Sequence, residues 1–298
     1  MSMLTVDHLT KRYHNTAVVD AVSFALEERT STALIGPNGA GKTTTLSMLT
    51  GLLNPTSGKI ELSGINGDPR KYIGFLPQYP QFFSWMTAME YMEMAARLSG
   101  VDAKSARLES QKTLEFVGLG EALKKKTGTF SGGMRQRLGL AQAIVHKPKL
   151  LLLDEPVSAL DPVGRREIMN LLKDLQSETT ILYSTHILND AEEMTDQLLF
   201  LRKGKLVEQG SLADVKEKYE NPRFRVEFSS TEAAAAFAAN NSWEAVNEGP
   251  IAFIPRNGDH PKMEEILRYL ADSGLDIRKV ERQTASLEEI FLKVVGQA

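Results

Sequence analysis

GPNGAGKT, residues 36–43, follows a short apolar run and opens a segment with helical character. It matches the pattern G-x-x-x-x-G-K-[ST] in full, in the strand-loop-helix context that the pattern requires. Glycines let backbone N–H groups converge on phosphate oxygens, and Lys42 would neutralise phosphate charge. Thr43 would offer its hydroxyl to Mg²⁺, and the helix dipole favours an anion. The alternative is a tight turn with an incidental lysine, but the full pattern favours a nucleotide site.

The segments around this loop read as strands and helices in alternation. Apolar runs at 31–35, 149–153 and 179–183 lack the alternation of half-exposed strands, so we expect buried strands. Each run leads into a polar turn and a helix-like segment, which is typical of a parallel sheet with crossover helices. Residues 85–118 have helical periodicity and indicate a helical insertion at about 80–145. The sequence therefore predicts an α/β fold with a parallel-sheet core over residues 1–220.

A different pattern follows residue 220 and predicts a second, smaller domain over residues 222–298. The order of its predicted elements is strand, helix, two strands, helix, strand and a closing helix. These elements occupy residues 224–228, 231–240, 243–246, 251–255, 262–274, 275–281 and 286–296. This order predicts an α+β domain of ferredoxin-like type.

Composition excludes several classes of function. The net charge of −3 gives no basic field, so nucleic-acid binding is not expected. The chain has no cysteine, hence no disulfide, thiol nucleophile or zinc-thiolate site. The N-terminal residues lack the apolar core of a signal peptide, and no apolar run approaches the ~20 residues that span a bilayer. We expect no transmembrane segment of its own.

Two adjacent acidic residues end the run LLLLDE, residues 150–155. Four leucines predict a buried strand, which places Asp154 at its carboxyl end beside the phosphate loop. Asp154 could hold Mg²⁺ together with Thr43, and Glu155 could polarise an attacking water as general base. The alternative reading makes both residues helix caps before Pro156. The phosphate loop turns that alternative into the minority interpretation.

Three further polar residues are candidates on weaker local grounds. Gln78 closes the predicted strand 72–78 and could order the water or complete the Mg²⁺ shell, although the local sequence alone favours a turn residue. His186 ends ILYSTH (181–186) and could contact the γ-phosphate, while a lone histidine is more often structural. Tyr13 could stack on adenine or pack against a hairpin.

A second potential anion site lies in FSGGMRQRLGLAQAI, residues 130–144, where Ser131-Gly132-Gly133 precedes an amphipathic run. With it, the chain over residues 3–220 closely resembles the ATP-binding subunit of an ATP-binding cassette (ABC) transporter. The matching motifs are GPNGAGKT (Walker A), Gln78 (Q-loop), SGGMRQR (signature), LLLLDE (Walker B), SALD at 158–161 (D-loop) and His186 (switch histidine). Six motifs in the right order make this resemblance specific.

The resemblance implies a P-loop NTPase cassette that adds an antiparallel β subdomain and a helical subdomain to the parallel-sheet core. It also implies ATP and Mg²⁺ as cofactors. The implied nucleotide-binding residues are Tyr13, Gly36, Asn38, Gly39, Ala40, Gly41, Lys42, Thr43 and Thr44. The implied catalytic residues are Glu155, His186 and Gln78, and the implied Mg²⁺ ligands are Thr43, Gln78 and Asp154.

In this family two cassettes close head-to-tail around two ATP molecules. The implied residues that act in trans are Ser131, Gly132, Gly133 and Met134 of the signature, with Asp161 in the D-loop. Met134 stands where the family usually has glutamine; we expect activity to survive, because the backbone contacts do not need that side chain. The single cassette in this chain implies a partner cassette, most simply a second copy, although a heterodimer stays open.

The resemblance also implies an integral membrane permease as a partner, and a cytoplasmic location, peripheral on the inner face of the cell membrane. The permease would dock in a groove between the helical subdomain and the Q-loop. The methionines there suit either an adaptable groove or plain helix core; they are Met86, Met89, Met92 and Met94.

The C-terminal extension is similar to that of bacterial export-type cassettes, such as those for drug and antibiotic resistance. We expect it to stabilise the dimer or regulate it, against the alternative of a passive appendage. A soluble cassette ATPase that acts on ribosomes or DNA is the rival function. A P-loop kinase or GTPase does not fit SGGMRQR or the Asp154-Glu155 pair.

Overall fold

The backbone folds into two units, Met1–Leu212 and Ala213–Ala298. The computed structural model describes residues 2–65, 67–158, 160–219, 222–256, 258, 260–283 and 286–296. The boundary predicted between residues 220 and 222 falls at Glu220 and Asn221, which lie outside the described residues.

The first unit contains nine of the strands and six of the α-helices in the described part of the chain. Its strands are β1 (Ser2–Tyr13), β2 (Thr16–Glu27), β3 (Ser31–Ile35), β4 (Ser57–Leu62), β5 (Ile73–Leu76), β6 (Leu150–Asp154), β7 (Thr180–Thr185), β8 (Gln197–Arg202) and β9 (Lys205–Ser211). Its helices are α1 (Lys42–Leu49), α2 (Ala88–Leu98), α3 (Ala106–Phe116), α4 (Gly132–Ile144), α5 (Pro162–Gln176) and α6 (Leu188–Met194).

A six-stranded sheet in the order β5-β6-β7-β3-β8-β9 forms the centre of this unit. The first five strands in that order are parallel, and β9 pairs antiparallel with β8. Every residue of β3, β6 and β7 is buried, as the continuous apolar runs predict. β3 has the predicted bounds, whereas β6 and β7 begin one residue later and extend to Asp154 and Thr185.

A second, antiparallel sheet in the order β2-β1-β4 lies beside the first. Leu4 of β1, Leu46 of α1 and Leu152 of β6 belong to one buried apolar cluster. Helix α1 therefore packs in the core that both sheets share. This packing holds the loop before α1 at the carboxyl edge of the parallel sheet, and it confirms the predicted antiparallel subdomain.

Helices α2, α3 and α4 form the predicted helical insertion. Thr87 begins α2 with a reciprocal capping box to Glu90. Met89 and Met92 are buried, which makes these two residues helix core, whereas Met86 and Met94 are only partly buried. Met89 and Met92 therefore belong to the core of the helical insertion, whereas a docking role for Met86 and Met94 stays a prediction.

The second unit begins within α7 (Leu212–Lys218). The elements that follow are β10 (Arg223–Phe228), α8 (Thr231–Asn240), β11 (Val246–Glu248), β12 (Ile251–Pro255), α9 (Met263–Ser273), β13 (Ile277–Gln283) and α10 (Leu287–Gly296). The antiparallel sheet order is β11-β12-β10-β13. Counted along the chain this is 2-3-1-4, the ferredoxin-like order that the sequence predicts.

Two faces of this small sheet are used differently. Phe224 and Phe228 of β10 pack with Phe237 of α8 in a separate apolar cluster that also includes residues of α9. On the opposite face, the Arg223 guanidinium donates to Glu289 of α10 over 2.6 Å. The unit therefore has its own core.

Two strand predictions have the wrong bounds. Residues 243–245 of the strand predicted at 243–246 are not in a strand, because the Asn241 side chain accepts from the Trp243 N–H and Glu244 adopts a left-handed φ of 54°. The strand β11 starts only at Val246. The strand predicted at 72–78 ends at Leu76, since Pro77 has no N–H for the sheet, and Gln78 lies two residues beyond the strand.

Candidate nucleotide site

The loop between β3 and α1 forms a backbone cradle. At two of its positions there is no room for any side chain, so both must be glycine. A Cβ on Gly36 would lie 2.3 Å from the Leu201 carbonyl oxygen. A Cβ on Gly41 would lie 2.7 Å from the Val18 carbonyl oxygen, and Gly41 has a φ of +107°. Gly41 also caps α1 without a side-chain hydrogen bond, so the first N–H groups of α1 stay available to an anion.

The Lys42 ammonium lies buried inside this cradle. Its Nζ donates to the Gly36 carbonyl oxygen over 2.7 Å and lies 3.6 Å from Glu155 Oε1. A buried ammonium needs acceptors, and here they are the oxygens of the loop and one carboxylate. Phosphate oxygens can supply the same contacts, so the loop fits a nucleoside polyphosphate.

The two acidic residues after the leucine strand lie at the edge of the parallel sheet beside the loop. Asp154 and Glu155 are both buried. Ser184 of β7 donates its hydroxyl to Asp154 Oδ1 over 2.6 Å and accepts from the Glu155 N–H over 2.9 Å. Glu155 has a left-handed φ of 53°, so its side chain leaves the direction of the strand.

His186 meets Glu155 at this edge. The distance from His186 Nδ1 to Glu155 Oε2 is 2.6 Å, with half of the histidine side chain exposed. Asp190, in the first turn of α6, is buried, and burial raises the pKa of its carboxyl against the opposing effect of the Arg165 guanidinium 3.8 Å away. His186 therefore lies between solvent and the buried Glu155 carboxylate.

One cavity of 260 Å³ brings most of the predicted nucleotide residues together. Its lining is Val18, Asn38, Gly39, Ala40, Gly41, Lys42, Thr43, Thr44, Gln78 and Glu155. Gln78 therefore faces the phosphate loop from the far side, although it lies beyond its strand. Tyr13 does not line this cavity; it is half exposed at the end of β1, with the Lys11 ammonium 5.3 Å from its ring centre.

The signature residues lie elsewhere, at the start of α4. Ser131 caps this helix by accepting from the Met134 N–H over 3.2 Å. Ser131 and Gly132 are exposed, and none of the predicted signature residues lines the cavity of the phosphate loop. Helix α4 is attached to the segment after β6, because buried Gln136 donates to the Pro156 carbonyl oxygen over 2.8 Å.

The predicted D-loop is described in part, since its Ala159 lies outside the described residues. Asp161 is exposed and caps α5 by accepting from the Gly164 N–H over 2.8 Å. Leu160 reaches the signature, because a Cβ on Gly133 would meet its Cδ2 at 3.5 Å. The D-loop and the signature of one chain therefore pack side by side.

The donor set near the loop is poor in carboxylates. Among the described residues, no group of three or more histidine, aspartate or glutamate side chains could hold a metal ion. The oxygen donors beside the loop, Thr43 and Asp154, are of the kind that Mg²⁺ takes together with water and substrate phosphate. A separate finding concerns membrane spans. None of the helices in the described ranges has both the length and the apolar character of a transmembrane helix.

Sequence reasoning missed Ser184. The residue stands one strand away from the acidic pair, and only the register that places it opposite Asp154 reveals the contact. A hint was available in ILYSTH, because a serine in a strand predicted to be buried needs a hydrogen-bond partner.

Comparison with known proteins agrees with this geometry. A family model described as "ABC transporter" matches residues 19–158. A second, described as "ATP-binding protein DrrA1-3-like, C-terminal domain", matches residues 210–295. A third, described as "AAA domain, putative AbiEii toxin, Type IV TA system", matches residues 128–189.

Individual relatives match over nearly the whole chain. The ABC transporter ATP-binding protein YxlF of Bacillus subtilis (strain 168) is 43% identical and covers 98% of this chain and 99% of its own. The bacitracin transport ATP-binding protein BcrA of Bacillus licheniformis is 34% identical, with coverages of 99% and 98%.

A solved structure is similar to a large part of the chain. It is a dimeric, post-hydrolysis state of an ATP-binding cassette bound to ADP and Pi, with a TM-score of 0.65 and 26% identity. It covers 70% of this chain and 99% of its own. The chain belongs to the ABC transporter ATP-binding proteins: it is the ATP-binding, ATP-hydrolysing subunit of such a transporter, with a DrrA-like C-terminal domain.

Proposed function

We propose that two cassettes close head-to-tail, so that the signature of one chain completes the ATP site of the other. The observation that carries this proposal is the separation of the two anion-binding features. Lys42 and Glu155 line one cavity, whereas Ser131 and Gly132 are exposed at the start of α4 and do not line it. A helix N-terminus with exposed small residues suits a phosphate presented by another chain.

Within each site, Glu155 acts as general base on the attacking water. His186 orients Glu155 through the contact at Nδ1, and Lys42 neutralises phosphate charge. Gln78 faces the same cavity and orders the water. The remaining nucleotide contacts are those of the cradle, with Tyr13 as the stacking residue for the base.

Thr43, Gln78 and Asp154 are the proposed holders of Mg²⁺. An ion bound there would neutralise charge on the phosphate oxygens. Thr43 and Gln78 line the cavity, and Asp154 lies next to Glu155 with its carboxylate already held by Ser184.

The closed dimer drives a separate membrane permease, which holds the chain at the inner face of the cell membrane. A homodimer is the simplest form, since each chain carries a full set of motifs. The direction is export, and an antibiotic-like compound as cargo is supported by the bacitracin transport relative. The C-terminal domain over 222–298 then stabilises or regulates the dimer. The rival function, a soluble ATPase without a permease, predicts ATP hydrolysis with no effect of any membrane protein.

Glu155→Gln tests the catalytic assignment. The variant loses the general base but keeps the phosphate contacts, so we expect kcat to fall about 10²- to 10⁴-fold while ATP stays bound. ATP binding without hydrolysis then traps the closed dimer, which size-exclusion chromatography with ATP detects. Hydrolysis at the wild-type rate would disprove the role of Glu155.

Lys42→Ala is the matched contrast, because it removes a phosphate contact and keeps the base. Its expected effect is weaker nucleotide binding and no ATP-induced dimer. If both variants bind nucleotide equally well, the assignment of Lys42 to the phosphates fails.

A further inference from the structure

Ser184 joins the two acidic residues of the site through one hydroxyl. In the parallel pairing of β6 with β7 it lies opposite Asp154, and its side chain is fully buried. Its Oγ donates to Asp154 Oδ1 over 2.6 Å and accepts from the Glu155 N–H over 2.9 Å. The hydroxyl therefore donates its one hydrogen to the Asp154 carboxylate, and its oxygen accepts the backbone N–H of Glu155.

The second contact matters because the chain turns sharply at Glu155. A left-handed φ of 53° takes its side chain out of the strand direction, toward the Lys42 ammonium and the His186 ring. The N–H at this turn is no longer available to the sheet, and Ser184 is its acceptor. Without that acceptor a buried N–H would be left unpaired.

We propose that Ser184 is a positioning residue for ATP hydrolysis. It fixes the direction of the Asp154 carboxylate and, through the backbone, the direction of the Glu155 side chain. This inference rests on the roles proposed above for Asp154 and Glu155. The alternative is a buried hydroxyl that only contributes to the stability of the fold.

Threonine and valine at position 184 separate these roles, since they are nearly equal in size and differ in the hydroxyl. We expect Ser184→Val to lower kcat by about 10- to 100-fold, the usual cost of losing a partner that orients a ligand. Ser184→Thr should keep most of kcat. ATP affinity in EDTA should stay unchanged in both, because Lys42 and the glycine loop carry it.

A readout independent of turnover is Mn²⁺ binding to the protein loaded with a non-hydrolysable ATP analogue, followed by electron paramagnetic resonance. Weaker Mn²⁺ binding is expected in Ser184→Val and wild-type binding in Ser184→Thr, because only valine releases the Asp154 carboxylate. If valine prevents folding, Ser184→Ala takes its place.

Thr179→Val is the control for a structural role. Thr179 lies next to the other end of β7, is buried, and donates its hydroxyl to the Pro148 carbonyl oxygen over 2.8 Å. Its loss should lower the free energy of unfolding without changing kcat or Mn²⁺ binding.

Equal kcat and equal Mn²⁺ affinity in the valine and threonine variants of position 184 would overturn the inference. Glu155→Gln in the same assays separates this failure from a wider one. An inactive Glu155→Gln beside an active Ser184→Val removes only the role of Ser184, whereas an active Glu155→Gln removes the proposed function.

Discussion

Glu155 combines three constraints that rarely meet in one side chain. It is buried, it adopts a left-handed backbone conformation, and its carboxylate contacts both Lys42 and His186. A non-glycine residue in this region costs on the order of 1–3 kcal/mol, and such residues cluster at functional sites. The surrounding contacts hold the strained turn, which places the carboxylate in the cavity instead of in the sheet.

His146 gives the clearest pH-dependent effect at the level of one residue. Burial lowers the pKa of its imidazole from the ordinary 6.5, and Nδ1 has no hydrogen-bond partner among the described residues. Nε2 contacts the Ile73 carbonyl oxygen at 3.2 Å, so the folded state holds the neutral ring. Protonation would add a charge in a partly buried place.

Because the folded pKa is lowered, the contribution of His146 to stability is full above pH 6.5 and is lost as the pH falls below it. We expect the free energy of unfolding of the wild type to drop from pH 7.5 to pH 5.5, and His146→Gln to flatten part of this drop. Urea unfolding at the two pH values measures it. His14→Asn, at an exposed turn, is the control, and an equal slope in His146→Gln would contradict the assignment.

At the scale of elements, the contact between α4 and β5 ties the signature helix to the strand that leads to Gln78. Gly74 of β5 and Gly139 of α4 permit this close approach. A Cβ on Gly74 would lie 2.1 Å from the Ala143 carbonyl oxygen, and one on Gly139 would lie 2.6 Å from Leu76 Cδ1. Neither position leaves room for a side chain.

Gly74→Ala should therefore destabilise the first unit by about 1–3 kcal/mol, the usual cost of overpacking a core. Gly120→Ala is the matched control, because its nearest new contact is an ordinary 3.4 Å to Glu115 Cγ. Chemical denaturation of the two variants measures the difference. Equal free energies of unfolding for Gly74→Ala and Gly120→Ala would contradict close packing of α4 against β5.

The elements show where sequence patterns suffice and where they do not. Continuous apolar runs identify β3 and, within a residue at the start, β6 and β7, because strands covered on both faces need no polar positions. The apolar pattern wrongly predicts a strand over the whole of 243–246. There the Asn241 side chain accepts a backbone N–H that a strand would donate to the sheet. The contact of Ser184 with Asp154 also escaped, because it depends on the register between strands distant in sequence.

At the scale of the whole molecule, the chain consists of two units with separate cores. The solved dimeric cassette covers 99% of its own length but 70% of this chain, so that cassette has no counterpart for the rest. The motifs of the first unit could be predicted from the sequence, because their chemistry requires particular residues at particular spacings. The second unit could be read only as an order of elements, since its residues do not reveal a chemistry.

Deletion of residues 222–298 tests the proposed role of the C-terminal domain. We expect the truncated chain to bind ATP, because the cradle residues all lie in the first unit, but to form the ATP-induced dimer less readily. Analytical ultracentrifugation and ATPase rates measure the two effects. If neither dimer formation nor rate changes, the domain does not regulate the dimer.

The central proposal is that phosphate loop and signature belong to different chains in each site, and cysteine cross-linking tests it most directly. The chain has no native cysteine, so single cysteines report specific contacts. Asn38→Cys places one in the loop, and Gly132→Cys places one at the start of α4. Glu155→Gln in both variants keeps the dimer closed.

Mixing the two single-cysteine proteins with ATP and an oxidant should give a disulfide-linked species of twice the 33.0 kDa chain mass, and neither protein alone should give it. The doubly substituted chain should also form linked dimers. An internal disulfide in the doubly substituted monomer, with no product in the mixture, would contradict sites shared between chains.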